Sequence, residues 1–360
     1  MTPHEIAIRR LANQKITHAE NREVEKIVAA LGAMQAQDYP GALWAIGLRS
    51  RDGTEAAVEK ALAERKIIRT WPMRGTLHFV AMADVRWMLT LQRERIIARA
   101  ATRHRQLKLD EAIFARATGL ISDALHGGRQ MTREELYEVL EGEKISTAGQ
   151  RGYHILWRLG LDAVICFGPR QGKQQTFVML DDWVPETLIM EREEALAELA
   201  WRYFTSHGPA TVQDFIWWSG LKASDARTGL KKNASRLAQE IVDGIAYWMP
   251  EGTTSHGGGS PILHLLPGFD EFLLGYKDRS AVLAQSRTAS IIPSRNGVMK
   301  PVIVIDGIVS GTWKRTFRKN DVLVTASPFE PLSRSGVRAF RQAAERYGDY
   351  LGRALDVRGI

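Results

Sequence analysis

Ile67-Ile68-Arg69-Thr70-Trp71-Pro72-Met73-Arg74-Gly75-Thr76-Leu77-His78-Phe79-Val80 reads as two short strands, rich in β-branched and aromatic residues, folded back on each other around Arg74-Gly75. What precedes the hairpin is helical. Thr2-Pro3-His4-Glu5 supplies an N-cap, a proline at the first helical position and a capping-box glutamate, and Thr17-His18-Ala19-Glu20 repeats the signal. A further helix is predicted from Glu55 to Ala63. Helices followed by a short hairpin make a winged helix.

The pattern recurs twice. Met131-Thr132-Arg133-Glu134-Glu135 opens a helix, Gly152 to Leu159 gives a second, and Asp162 to Phe167 faces Gln175 to Leu180 across a polar turn. Thr211 then opens Phe215-Ile216-Trp217-Trp218, Ser224 caps a helix through Lys232, and Ile241-Val242 with Ile245 to Met249 supply strands. Thr132 and Thr211 hold matching places, as a repeat requires. After the connector Glu251 to Pro261, short apolar runs at Ile262 to Leu266, Val302 to Ile305, Ile308 to Trp313 and Val322 to Thr325 are split by turns such as Asp306-Gly307, and a helix from about Val337 to Arg353 ends the chain. The expected fold class is α+β: three tandem winged-helix (helix-turn-helix) units followed by a small β-barrel-like domain. Their expected spans are 1–108, 109–188, 189–252 and 261–360.

Composition narrows the function classes. Of 360 residues, 44% are hydrophobic and 25% charged, an ordinary globular balance that excludes disorder over most of the length. A net charge of +8 points to a polyanionic partner. Its distribution says more: Arg93, Arg95, Arg99, Arg103, Arg105 and Lys108 crowd one stretch, Lys314, Arg315, Arg318 and Lys319 a second, and Arg334, Arg338, Arg341, Arg346 and Arg353 a third. The plain reading is three solvated faces; nucleic acid explains three clusters in one chain better than a small substrate does. Cys166, the only cysteine, sits in an apolar run, which excludes disulfides and cysteine-rich zinc sites. The N-terminus shows no apolar signal and no run approaches a membrane-spanning length, so a cytoplasmic, nucleoid-associated protein without membrane partners is expected, a monomer by default.

The chemistry is sought at Met34-Gln35-Ala36-Gln37-Asp38-Tyr39-Pro40. Val24, Ile27, Val28, Leu31 and Met34 form one helical face running into the glutamines, and Pro40 confines Tyr39 to extended conformations, so that helix must end between Gly32 and Tyr39. Residues two apart diverge in a helix but share a side in an extended segment. Helix exit before Gln35 would turn both amides to one site. Two neutral amides can hold a water from its donor and acceptor sides, yet neither takes a proton at neutral pH. Such a site suits a substrate whose leaving group is already activated, as a cationic N-alkylated purine is. A glutamine pair at a helix end is more often merely solvated or capping.

Three strings decide otherwise together. Gln35 to Pro40, Arg69 to Val80, and Leu265-Leu266-Pro267-Gly268-Phe269-Asp270-Glu271-Phe272-Leu273-Leu274-Gly275-Tyr276-Lys277-Asp278-Arg279 resemble the bacterial winged-helix DNA glycosylases of the AlkZ and YcaQ type. Members of that family excise alkylated purines, and some unhook interstrand crosslinks. The resemblance spans nearly the whole chain. It implies a signature of glutamine, an aliphatic residue, then glutamine or aspartate; Gln35-Ala36-Gln37 matches the double-glutamine, AlkZ-like branch, and Asp38 falls one position late for the aspartate variant. It implies a monofunctional glycosylase acting on N7-alkylguanine and N3-alkyladenine in double-stranded DNA, with Gln35 and Gln37 catalytic, no cofactor, no metal and no lyase activity.

DNA contacts are expected from Arg74 at the first hairpin tip, from His78 on its return strand, from Arg170 and Lys173 on the second wing, and from Lys314, Arg315 and Arg318. In the last region Trp313-Lys314-Arg315-Thr316-Phe317-Arg318-Lys319 interleaves aromatics with bases, a pattern that serves stacking on DNA or equally a strand alternating core and solvent. Some crosslink-unhooking relatives use a β-hairpin here. Gly168 to Lys173 lacks the spacing and the hydroxyl of a phosphate-binding loop, and His256-Gly257-Gly258-Gly259 has no Gly-x-Ser-x-Gly partner, so nucleotide binding and esterase chemistry are rejected. Asp270 and Glu271 read as structural. The alternative function is a non-catalytic winged-helix DNA-binding protein, such as a transcriptional regulator.

Overall fold

The computed structural model describes residues 1–17, 19, 23–184, 190–252, 262–293 and 297–360. Most of the expected connector, from Thr253 to Pro261, and two residues of the capping signal near Thr17 lie outside them. The chain folds as two compact units, residues 1–58 with 196–360, and residues 59–195.

In the second unit the Ile67–Met73 and Thr76–Ala81 strands form the expected hairpin, with Arg74 and Gly75 both at positive φ (56° and 74°), the signature of a two-residue turn that matches strand twist. The Ile165–Phe167 and Thr176–Met179 strands form the next one. Sequence reading separated these hairpins; the structure joins them, since Arg69 pairs with Phe167 and the strands run antiparallel in one sheet, with the Met131–Thr132 strand at one edge. Ile96 of the Val85–Gln106 helix and Leu136 of the Arg133–Gly142 helix share one core with Trp71, Phe114, Trp157 and Phe177. Residues on both sides of position 108 thus pack together. Cys166 is fully buried, and burial raises its thiol pKa, as expected of an inert cysteine.

The first unit begins with the Pro3–Asn13 helix, whose capping box at Thr2 and Glu5 is formed. The Val212–Ser219 helix is capped the same way by Thr211 and Asp214. The following helix, Ala223–Asn233, starts ahead of the predicted cap: Lys222 occupies that position and Ser224 lies inside the first turn. A two-stranded hairpin, Leu237–Val242 with Ile245–Pro250, turns at Asp243-Gly244.

The β-rich C-terminal region is an open sheet, half of the barrel that the sequence suggested. Its five strands run in the order Leu263–Leu266, Val302–Ile305, Ile308–Phe317, Asp321–Pro328, Ala354–Arg358. The last pairs parallel to its neighbour; the other pairs are antiparallel. The Arg334–Leu351 helix brings Tyr347 against Trp313 of the sheet, ring centres 5.2 Å apart, and against Trp44, 5.0 Å apart. Both indoles are anchored to one strand, Trp44 Nε1 donating to the Leu265 carbonyl and Trp313 Nε1 to that of Leu266. This aromatic stack fixes the helix carrying Trp44 to the sheet. That helix begins two residues after Gln37.

Candidate active site

The Val24–Leu31 helix buries Ile27, Val28 and Leu31 and stops at Gly32, where φ is +79° and an added Cβ would lie 3.4 Å from the Trp218 ring. Met34–Gln35 is extended, and the chain stays non-helical through Asp38. Side chains two apart then share a side. Gln35 Nε2 donates to Gln37 Oε1 at 2.5 Å, so the two amides meet. Gln35 is 8% exposed and Gln37 is open to solvent. The buried amide thus backs the exposed one.

Pro40 acts differently from expectation. The upstream helix has already stopped at Gly32, and Pro40 sits in the first turn of a helix the sequence reading did not include, Tyr39–Gly47, with Tyr39 helical rather than extended. A proline there forgoes no intrahelical bond, because the first N–H groups of a helix have no acceptor within it. The helix is buried on nearly all sides.

Asp38, at the N-cap position, turns away from the amides and accepts two hydrogen bonds from Arg315 Nη2, at 2.9 and 2.8 Å. This ion pair ties the glutamine segment to the sheet. Arg315, expected to contact DNA, here faces protein instead, because the strand's alternation turns it inward between exposed Lys314 and Thr316. Gly41 leaves the room: a Cβ on it would stand 2.3 Å from Asp38 Oδ2. Gly41→Ala is therefore expected to destabilise by roughly 1–3 kcal/mol, the usual cost of overpacking. Asp38→Ala in the same chain should relieve part of that loss, as a thermal-denaturation double-mutant cycle would show.

The two carboxylates read as structural lie directly behind the site. Asp270 holds Arg49, both nearly inaccessible, through Nη1–Oδ2 at 2.8 Å and Nη2–Oδ1 at 2.9 Å. Glu271, 1% exposed, accepts the backbone N–H of Gln35 at 3.2 Å on Oε1 and the indole N–H of Trp218 at 2.8 Å on Oε2. His207 Nε2 lies 3.3 Å from Oε2, its ring stacked on Tyr203, and burial holds its pKa below the usual histidine value. Nothing in the spacing of Gln35 and Glu271, 236 positions apart, announces this contact.

The remaining predicted residues fall in several places. His78 is fully buried: its Nδ1 donates to the Thr76 carbonyl at 2.8 Å, while Nε2 stands 3.1 Å from Arg74 Nη2. Burial and the neighbouring guanidinium hold its pKa well below the usual value, so the ring is neutral and accepts from Arg74. His78 therefore orients Arg74 rather than making an outward contact of its own. Arg74 is half-buried at the turn. Arg170 and Lys173 are exposed on the second wing, Arg170 lying 3.6 Å from Glu59. Lys314 is exposed; Arg318 is exposed and bridges Asp321 and Asp356. Trp313, offered as a stacking residue, is 2% exposed and belongs to the core; Phe317, at 46%, does face solvent. Among the described residues no group of His, Cys, Asp and Glu is placed to hold a metal ion, and no helix is long and apolar enough to cross a membrane.

Comparison with known proteins gives consistent matches. A family model for AlkZ-like DNA glycosylases matches residues 28–350. The interstrand DNA cross-link repair glycosylase of Streptomyces sahachiroi is 25% identical over 93% of this chain and 92% of its own. In fold, the chain is similar over 100% of both lengths to the solved structure of the Streptomyces sahachiroi DNA glycosylase AlkZ, with a TM-score of 0.82 at 23% identity. A non-catalytic regulator is thereby set aside. Matched from within the helix that leads to the glutamine pair to the end of the helix that packs on the sheet, this chain belongs to the AlkZ-like family of DNA glycosylases.

Proposed function

We propose that this DNA glycosylase hydrolyses the N-glycosidic bond of cationic N7- and N3-alkylated purines, with Gln35 and Gln37 as its catalytic residues. The observation that carries the reading is the amide-to-amide hydrogen bond between a buried Gln35 and an exposed Gln37. With one lone pair of Gln37 Oε1 taken by Gln35, its N–H2 group and remaining lone pair can hold a water from both sides. The C1′–N bond breaks with its electron pair leaving on the purine, which becomes neutral. The water oxygen then bonds to C1′, and its proton passes to solvent because no amide can keep it. The oriented amide dipoles stabilise the oxocarbenium-like sugar as its charge develops. No Schiff base forms, so an abasic site is left without strand cleavage.

The three sets of capped helices and hairpin serve, in this reading, as winged-helix units around the duplex, with Arg74, Arg170, Lys173, Lys314 and Arg318 on its phosphates. Unhooking of an interstrand crosslink is the same hydrolysis applied to a tethered N7-alkylguanine. The name of the Streptomyces relative and the exposed Lys314, Phe317 and Arg318 support that extension.

The test uses two duplexes, one carrying N7-methylguanine and one crosslinked between guanine N7 atoms. Free modified base, an alkali-labile site and no trapping by borohydride are expected from the first, and separable strands from the second. Binding to both without release of base from either would overturn the reading.

A further inference from the structure

We propose that Glu271 is a positioning residue for the glutamine pair: its buried carboxylate grips the Gln35 backbone N–H and so holds Gln35 where its amide meets Gln37. The inference rests on the catalytic role proposed for those glutamines and deepens it.

A carboxylate with 1% exposure is costly unless donors surround it, and three converge here: Gln35 N, Trp218 Nε1 and His207 Nε2. An ionised carboxylate suits this convergence because it only accepts. The three donors differ in what they serve. Trp218 and His207 belong to the core, with Tyr203 in tilted contact with the indole and stacked on the imidazole. Gln35 is the functional segment. Glu271 therefore joins a rigid aromatic block to one peptide N–H of the site.

The neighbouring residue repeats the arrangement at the far end of the segment. Asp270 holds Arg49, and Arg49 Nη1 also donates to the Ala45 carbonyl at 2.7 Å, near the end of the Tyr39–Gly47 helix that follows the glutamines. Two adjacent carboxylates thus fasten both ends of the chain from Gln35 to Arg49. Asp270 also caps the short Glu271–Leu274 helix by accepting from Phe272 N, which sets the direction of the pair. Glu271 meets the main chain of Gln35, so it acts on the reaction through Gln35.

Glu271→Gln tests this at constant shape. If the new amide oxygen stays with Trp218 and His207, its N–H2 confronts the Gln35 N–H, donor against donor. Single-turnover release of N7-methylguanine at saturating enzyme is expected to fall roughly 10- to 100-fold, the usual cost of losing a partner that orients a reacting group. DNA affinity should hold. Adding Trp218→Phe removes the competing indole donor and, with the neutral His207 ring able to accept the amide N–H2 on Nε2 in its other tautomer, lets the amide oxygen turn to Gln35, which is expected to restore part of the rate. A merely structural role predicts the reverse, since a second substitution in the core would deepen the loss.

A wild-type rate in Glu271→Gln, an affinity that falls with the rate, or a further drop in the double variant would overturn the proposal. Gln35→Ala is the control: if it abolishes release while Glu271→Gln does not, only the positioning role fails, and if it leaves release unchanged, the glutamine mechanism fails as well. Should Glu271→Gln not fold, wild-type protein labelled with 15N-glutamine supplies the reading. A downfield Gln35 amide proton supports the contact, and a random-coil shift overturns it.

Discussion

Gln37→Ala is expected to lower single-turnover release of an N7-alkylated guanine by roughly 100- to 1,000-fold, the loss seen when one member of a preorganised polar site is removed. Gln37 is the exposed half of the pair and the half whose oxygen Gln35 Nε2 engages at 2.5 Å. Removing it takes away the acceptor that orients Gln35 together with the group best placed to hold water. Affinity for DNA should change little, because binding rests on many phosphate contacts and a neutral amide adds no charge to them. The residual rate should stay above the spontaneous one, since a cationic purine weakens its own glycosidic bond. Gln37→Glu should retain more activity than Gln37→Ala: it keeps an acceptor facing Gln35 Nε2 and adds a negative charge beside the developing cation. Equal release by wild type and Gln37→Ala, with chemistry rate-limiting in both, would sink the role given to this residue.

What could be read from the chain alone follows the range of the interaction that makes each feature. A capping box is a set of local hydrogen bonds between residues three apart: the one read at Thr2 forms, and the helix starts read at Thr132 and Thr211 prove to carry the same box. The Arg74-Gly75 turn is likewise a local backbone requirement. Pro40 misled because one residue type marks both the end of one helix and the first turn of the next, and the spacing before it gave weight only to the end. Arg315 and His78 have protein partners that the sequence did not announce, for another reason. A basic residue reads the same in sequence whether it faces a phosphate or another part of the protein, and only the folded register turns Arg315 toward Asp38, 277 positions away. The Ala354–Arg358 strand was not among the expected elements, since its pairing is parallel and entirely non-local. That Gln35 and Gln37 share a side was legible from chain direction; the contact of Glu271 with the Gln35 N–H was visible only as residue types.

Asp270→Ala is expected to be the most destabilising single substitution in this region, by about 3–5 kcal/mol, because it strands a buried arginine. Arg49 is inaccessible, and its guanidinium is fully engaged: Nε donates to the Gln14 carbonyl at 3.1 Å, Nη1 to the Ala45 carbonyl and Asp270, Nη2 to Gln14 Oε1 at 2.9 Å and Asp270. Those five bonds use all five N–H donors an arginine has. Without Asp270 the hydrogen bonds to neutral oxygens remain, but the charge has lost its counter-ion in a medium that solvates it poorly. Arg49→Met should cost a similar amount, now because the buried Asp270 carboxyl loses the guanidinium and is left with the Phe272 N–H beside it. The double replacement Arg49→Met with Asp270→Leu removes both charges and should recover much of the loss, since apolar side chains of similar volume commonly replace buried ion pairs at little net cost. Urea denaturation followed by tryptophan fluorescence measures all three, and simple additivity of the two single losses would refute the pair as the source of the effect. Recovery of stability need not recover catalysis. The double variant lacks the bond from Arg49 to the Ala45 carbonyl, so the helix after the glutamines loses that tie and keeps those of Trp44 and Asp38, and its release rate compared at equal stability separates holding the fold from holding the site.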